Sequence, residues 1–208
     1  MVADAFDTSN GLLTATRLPA LGRANARISS AEVAALLLAG AAAAVATGFV
    51  RLGLRIPGHA IVLAVLPLAL GFALVPRRFA GLIMSGGAFG TAGALSVTGA
   101  AHYGVGAMTS LCLTGAMMDV ALLGTGAGWP LYVRLVGAGL ASNVVAFMQR
   151  GAGKLLGLDQ PGTRFFHGWV SEAMVTYTLS GMVAGLLGAF CWFQFRSRPA
   201  PPSGERVR

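Results

Sequence analysis

The chain has 208 residues, 55% of them hydrophobic and only 11% charged, where a soluble domain carries about 25% charge. Its length accommodates about six spans of roughly 20 residues plus tails, which excludes a separate soluble domain alongside them. The net charge of +8 sits mostly in short loops and tails, where cytoplasmic basic residues and lipid headgroups account for it without nucleic acid. Cys112 and Cys191 both fall in apolar runs and read as buried thiols with nothing pairing them as a disulfide.

Residues 1–30 form a polar leader. Asp4 and Asp7 come early and no apolar core precedes a cleavage site, so it is not a secretory signal. Within it, Leu12 to Leu21 suits a short interfacial helix, with Arg17, Arg23 and Arg27 toward headgroups. Ser29 followed by Glu32 reads as a capping box opening helix 1. From Val33 to Val50 no residue is charged, and Ala31, Ala35, Ala39, Ala43 and Thr47 recur every fourth position. That step lines small side chains along one side of a helix, a surface built for close approach by another helix, inside this chain or outside it. The other side, with Leu36, Leu37, Leu38, Val45 and Phe49, suits lipid or a packed neighbour.

Arg51 to Gly58 is a break. Helix 2 is expected from His59 to Val75, with Pro67 kinking it. Pro76-Arg77-Arg78 is a tight basic turn. Helix 3 spans Phe79 to Ala100 and carries Gly81, Gly86, Gly87, Gly90, Gly93 and Gly99, which predicts a central helix touching several neighbours closely. After the turn Ala101 to Gly104, helix 4 covers Val105 to Leu123, and Gly124 to Gly128 is a small-residue loop. Helix 5 runs from Trp129 to Gln149, with Pro130 in its first turn. Gly151 to Phe166 is the longest interior loop, with apolar Leu155, Leu156 and Leu158 suited to the interface. Helix 6 covers Gly168 to Phe193 and offers the small pair Gly181 and Gly185. Residues 196–208 form a basic, proline-rich tail read as disordered. The reading is thus all-α: an integral membrane bundle of six transmembrane helices over residues 31–195.

Orientation follows from counting. With six spans, Arg17, Arg23, Arg27, Arg77, Arg78, Arg196, Arg198, Arg206 and Arg208 fall on one side, and Arg51, Arg55, Arg150, Lys154 and Arg164 on the other. Nine against five places both termini in the cytoplasm of a multi-pass cell-membrane protein. His59, His102 and His167 then all lie at the outer ends of helices, with Tyr103, Trp169 and Glu172 at similar depth. Imidazoles and a carboxylate at one level can bind a transition metal or an organic ligand, although histidine is also tolerated in the wet interface and no close metal spacing exists. Asp119, one turn before the end of helix 4, and Arg134, one turn after the start of helix 5, are expected to meet as an ion pair clamping the hairpin, because membrane charges are costly unless paired; a coupling contact to a cytoplasmic partner is the alternative. Ser142 and Asn143, like Ser110, Ser171 and Thr176, are expected to hydrogen-bond across helices. No paired acids, nucleophile with base, or nucleotide motif is present, so no enzyme activity and no cofactor are expected.

Length, six spans, both ends inside, the row Ala35, Ala39 and Ala43, and the segment Arg55-Ile56-Pro57-Gly58-His59-Ala60 together resemble the S component of an energy-coupling factor (ECF) transporter. That resemblance implies a subunit that captures a vitamin-like small molecule or metal ion. The helix-1 alanines would dock on a membrane coupling subunit driven by two cytoplasmic ATPases. It also implies a ligand near the outer ends of helices 4 to 6, close to His102, Tyr103, Phe165, His167, Trp169 and Glu172. The family's cobalt and nickel members carry a histidine directly after the initiating methionine, where this chain has Val2. The alternative is a structural or assembly subunit of another membrane complex, with helix 1 as its docking face.

Overall fold

A computed structural model describes residues 28–50, 58–123, 129–157 and 166–196. The interfacial helix expected over 12–21, the tail beyond 196, the 51–57 break and the candidate ligand residue Phe165 lie outside the described residues. Within them the chain is all-helical: α1 (Ser30–Phe49), α2 (Ala60–Leu74), α3 (Ala80–Val97), α4 (Val105–Leu122), α5 (Trp129–Leu155) and α6 (Phe166–Arg196). Five of these are long and apolar enough to cross a membrane, and α2 is a shorter apolar helix of 15 residues. The chain is therefore a multi-pass membrane protein by the length and composition of its helices.

Helix starts and stops follow local chemistry. Ser29 and Glu32 form the expected capping box at the start of α1. Glu32 does a second job, since its Oε1 accepts from Arg77 Nη2 at 3.0 Å and from Nε at 3.2 Å. This ties the start of α1 to the turn between α2 and α3. At the other end of α3, Thr98 bonds back to the Ala94 carbonyl and Gly99 takes φ +72°, so the helix stops at Val97, short of Ala100. Helix α5 continues past Gln149 to Leu155 despite Gly151 and Gly153. Its last turns carry Arg150 and Lys154 over the Trp169 ring of α6, a contact that supports the extension.

Neighbour contacts run α1–α3–α4–α5–α6–α2 and back to α1, with α2 also touching α3 and α4 across the middle. The interior is therefore α2 with α4, not the glycine-rich α3. Ile61, Ala64, Leu68 and Phe72 of α2 are fully buried. Lipid gives helices no hydrophobic reason to associate, so close backbone packing must do so. It is visible at three crossings. Gly40 of α1 lies on the Met84–Ala88 backbone of α3, Gly81 of α3 lies on Gly115 of α4, and Gly139 of α5 lies on Gly181 and Gly185 of α6. A methyl group at any of these would overlap facing backbone.

The alanine row of α1 is spent inside the bundle. Ala43 is fully buried, and Ala35 and Ala39 pack against the core, Ala39 beside Gly71 of α2. Of the two partners the sequence left open for Ala35, Ala39 and Ala43, inside this chain or outside it, the row meets one inside: Gly71 lets α2 sit directly on Ala39. Leu37, Leu38, Val45 and Phe49 are exposed on the opposite side, whereas Leu36 is buried. Cys112 is exposed and Cys191 half-buried, so neither is the fully buried thiol expected.

Candidate functional site

Asp119 and Arg134 do not meet. Asp119 Oδ2 accepts the Leu82 backbone N–H at 2.8 Å, while Arg134 Nη1 donates to the Leu123 carbonyl at 3.0 Å. The expected ion pair is replaced by two helix caps. Helix α3 begins after Phe79, whose backbone is left-handed at φ 65° and whose side chain offers no cap. The first N–H groups of α3 therefore need an acceptor from elsewhere, and the carboxylate of α4 supplies it at the positive end of the α3 dipole. Arg134 likewise answers the negative end of α4. The Gly81–Gly115 crossing makes the first cap possible: Gly115 lies one turn before Asp119, so close approach there brings the carboxylate to Leu82.

Beside Asp119, between α3 and α4, is a cavity of about 350 Å³ lined by Arg78, Phe79, Leu82, Ala116, Asp119, Val120 and Leu123. Sequence reasoning missed it. The available signal was a helix start at Phe79 with no Ser, Thr, Asp or Asn to cap it.

The histidine end of the bundle is arranged differently. His102 and His167 are exposed and His59 is half-buried at the start of α2. Among the described residues no group of three His, Cys, Asp or Glu side chains is placed to hold a metal ion. Tyr103 turns toward α1, its hydroxyl donating to the Ala44 carbonyl at 2.8 Å, and burial pushes its phenol above the usual 10.0. Trp169 belongs to a separate apolar cluster with Ala146, Ala173 and Tyr177. Its ring stacks on Phe147, with centroids 5.5 Å apart and 17° between planes. Arg150 and Lys154 stand 6.0 Å and 5.4 Å from the Trp169 centroid. Glu172 is exposed one turn further along α6. Tyr103 and Trp169, expected to share a site, thus pack against different clusters.

Asn143 joins the two halves of that end. Its Nδ2 donates to the Tyr177 carbonyl at 2.7 Å and to the Gly58 carbonyl at 3.3 Å, and Ser110 Oγ donates to its Oδ1 at 3.4 Å. The cross-helix role expected of Ser110 and Asn143 is seen. Ser142 and Thr176 instead bond carbonyls of their own helices. Comparison of the chain with protein-family models, curated proteins and solved structures finds no match.

Proposed function

We propose that this chain is a non-catalytic subunit of a membrane assembly, docking on its partner through α3. The observation that carries the reading is an open glycine row. Gly86, Gly90 and Gly93 share one side of α3, and a methyl group at any of them would meet no described residue within 4 Å. Glycine inside a helix costs about 1 kcal/mol relative to alanine. Gly81 and Gly87 on the same helix offset that cost through close contacts with α4 and α1. The three open glycines gain no such contact from the described residues, and they suit close backbone approach by a helix of another protein. The buried Ser110, Thr114, Ser142 and Asn143 all make hydrogen bonds within the bundle, which supports a structural use of its polar groups. The arginine count supports placement in the cell membrane with both ends cytoplasmic.

Cross-linking of the full chain in its own membrane, followed by mass spectrometry, tests this. A Gly86→Leu/Gly90→Leu double variant should lose the cross-linked partner, while Gly137→Leu, at another open glycine, should keep it. Retention by the double variant would remove the reading.

The second reading is substrate capture of the ECF type, with a coupling subunit and two ATPases as partners. It is favoured by the cationic, aromatic group of Arg150, Lys154 and Trp169, which suits an anionic vitamin-like molecule. Ala43 being internal, coupling in that case would also use α3. A small molecule that co-purifies with the chain and is lost in Trp169→Ala would favour this second reading over the first.

A further inference from the structure

The cavity between α3 and α4 pairs a hydrocarbon wall with two charges of opposite sign. Phe79, Leu82, Val120 and Leu123 supply the wall, and Arg78 and Asp119 are its charged lining residues. Asp119 is only 8% exposed. Its Oδ2 takes the Leu82 N–H at 2.8 Å, and the Gly81 N–H also faces the carboxylate. Its Oδ1 is buried and accepts no hydrogen bond from any described residue. Buried carboxylate oxygens normally have donors, and an unmade bond of this kind is costly. Among the described residues the neighbouring guanidinium groups are committed elsewhere: Arg77 to Glu32 and Arg134 to the Leu123 carbonyl. Arg78 lines the same cavity without pairing with Asp119. The place lies at helix ends, beside the Pro76-Arg77-Arg78 turn, where a bilayer's headgroups meet its hydrocarbon.

The occupant must therefore be an amphiphile that donates hydrogen bonds to a buried carboxylate and offers an anion to an exposed arginine. We propose that this cavity binds the head group of phosphatidylethanolamine, its ammonium donating to the Asp119 carboxylate, its phosphate facing Arg78 and its glycerol and upper acyl chain lying on the apolar wall. Phosphatidylcholine lacks an N–H donor for the carboxylate. Phosphatidylglycerol can donate through hydroxyls but brings a net negative charge to a carboxylate. The zwitterion matches both charges of the site.

The strained start of α3 fits this use. Phe79 holds a left-handed backbone and is 65% exposed as a residue, and that conformation is uncommon for bulky residues and is sustained only by surrounding structure. It leaves the helix to be capped by Asp119 from α4, and so keeps the carboxylate at the cavity wall.

The test is native mass spectrometry of the full chain titrated separately with dioleoyl phosphatidylethanolamine, phosphatidylcholine and phosphatidylglycerol. The ethanolamine lipid should bind about tenfold more tightly than the choline lipid, the range of one charge-assisted hydrogen bond. Asp119→Asn should reduce that preference to about twofold or less. Because Asp119 also caps α3, Ala116→Phe provides a second variant that fills the cavity from its wall and leaves the cap in place. It too should abolish the preference. Equal binding of ethanolamine and choline lipids by the unaltered chain would overturn the proposal. So would a preference that survives both variants, or a stronger binding of phosphatidylglycerol lost only in Arg78→Gln, which would indicate a simple anion contact.

Discussion

Replacing Gly115 by alanine separates two ideas about what holds α3 to α4. A Cβ at Gly115 would lie 2.6 Å from Ser85 Oγ and 3.0 Å from the Gly81 carbonyl carbon, and closer still to the Gly81 oxygen. Ordinary contact begins at 3.4 Å, and helix backbone cannot rotate aside, so the axes must part by about 1 Å. Asp119 sits one turn along, so the same movement stretches its 2.8 Å bond to Leu82 to about 3.8 Å, beyond hydrogen-bonding range. Overpacking costs about 1–3 kcal/mol, and losing a hydrogen bond to a charged group a further 1.5–3 kcal/mol or so. Alanine returns about 1 kcal/mol through helix propensity. The expected net loss is about 2–3 kcal/mol, since the two penalties share one displacement. Reversible unfolding in mixed micelles of increasing SDS content, followed by circular dichroism, measures it. Gly86→Ala, on α3 with nothing near its Cβ, is the reference and should be neutral or up to about 1 kcal/mol more stable. If the two variants agree within about 0.5 kcal/mol, backbone contact at this crossing does not hold the bundle together.

Gly139→Ala should likewise destabilise the α5–α6 crossing by about 1–3 kcal/mol in the same unfolding assay, because its methyl would lie 2.9 Å from the Gly185 nitrogen. Asn143→Leu should cost about 1–2 kcal/mol by loss of its bonds to the Tyr177 and Gly58 carbonyls; equal stability would show that these bonds are idle. Burial raises the Tyr103 phenol above 10.0 in the folded chain, so the unfolded chain loses that proton first. Stability is then unaffected below pH 10.0 and falls as pH rises through the folded value. Tyr103→Phe should lower stability at neutral pH by about 0.5–1.5 kcal/mol and remove this residue's part of the alkaline decline, both read from unfolding curves over a pH series. The Arg77–Glu32 pair is partly exposed, so Arg77→Gln should lower the thermal midpoint by an amount that shrinks as salt is added.

The helices themselves were legible in the sequence because long uncharged runs between basic turns leave few alternatives. The Ser29–Glu32 box, the Pro130 start and the Gly181–Gly185 contact surface are local signals, and local signals survive folding. Direction was harder to read. A row of alanines announces close packing but not its partner, and the row on α1 faces inward because Gly71 on α2 allows it at Ala39. The fate of Asp119 depended on a glycine contact and an uncapped helix start 37 positions away. Sequence alone points to charge pairing because both ions sit near one hairpin. Helix ends, which also carry partial charge, proved the better partners. Tyr103 and Trp169 share a depth in the sequence reading, but depth does not say which side of a bundle a ring enters.

The two capping charges have a bearing on how this protein is assembled. A polypeptide entering the bilayer from its amino end inserts α3 before the residue that completes its first turn exists in the membrane. Helix α4 in turn waits for Arg134 of α5 to close its last turn. The three hydrophobic segments are therefore coupled in time as well as in space. The first two arrive unfinished and are completed by their successors, so truncation after α4 should leave α4 frayed at its end even with every one of its own residues present.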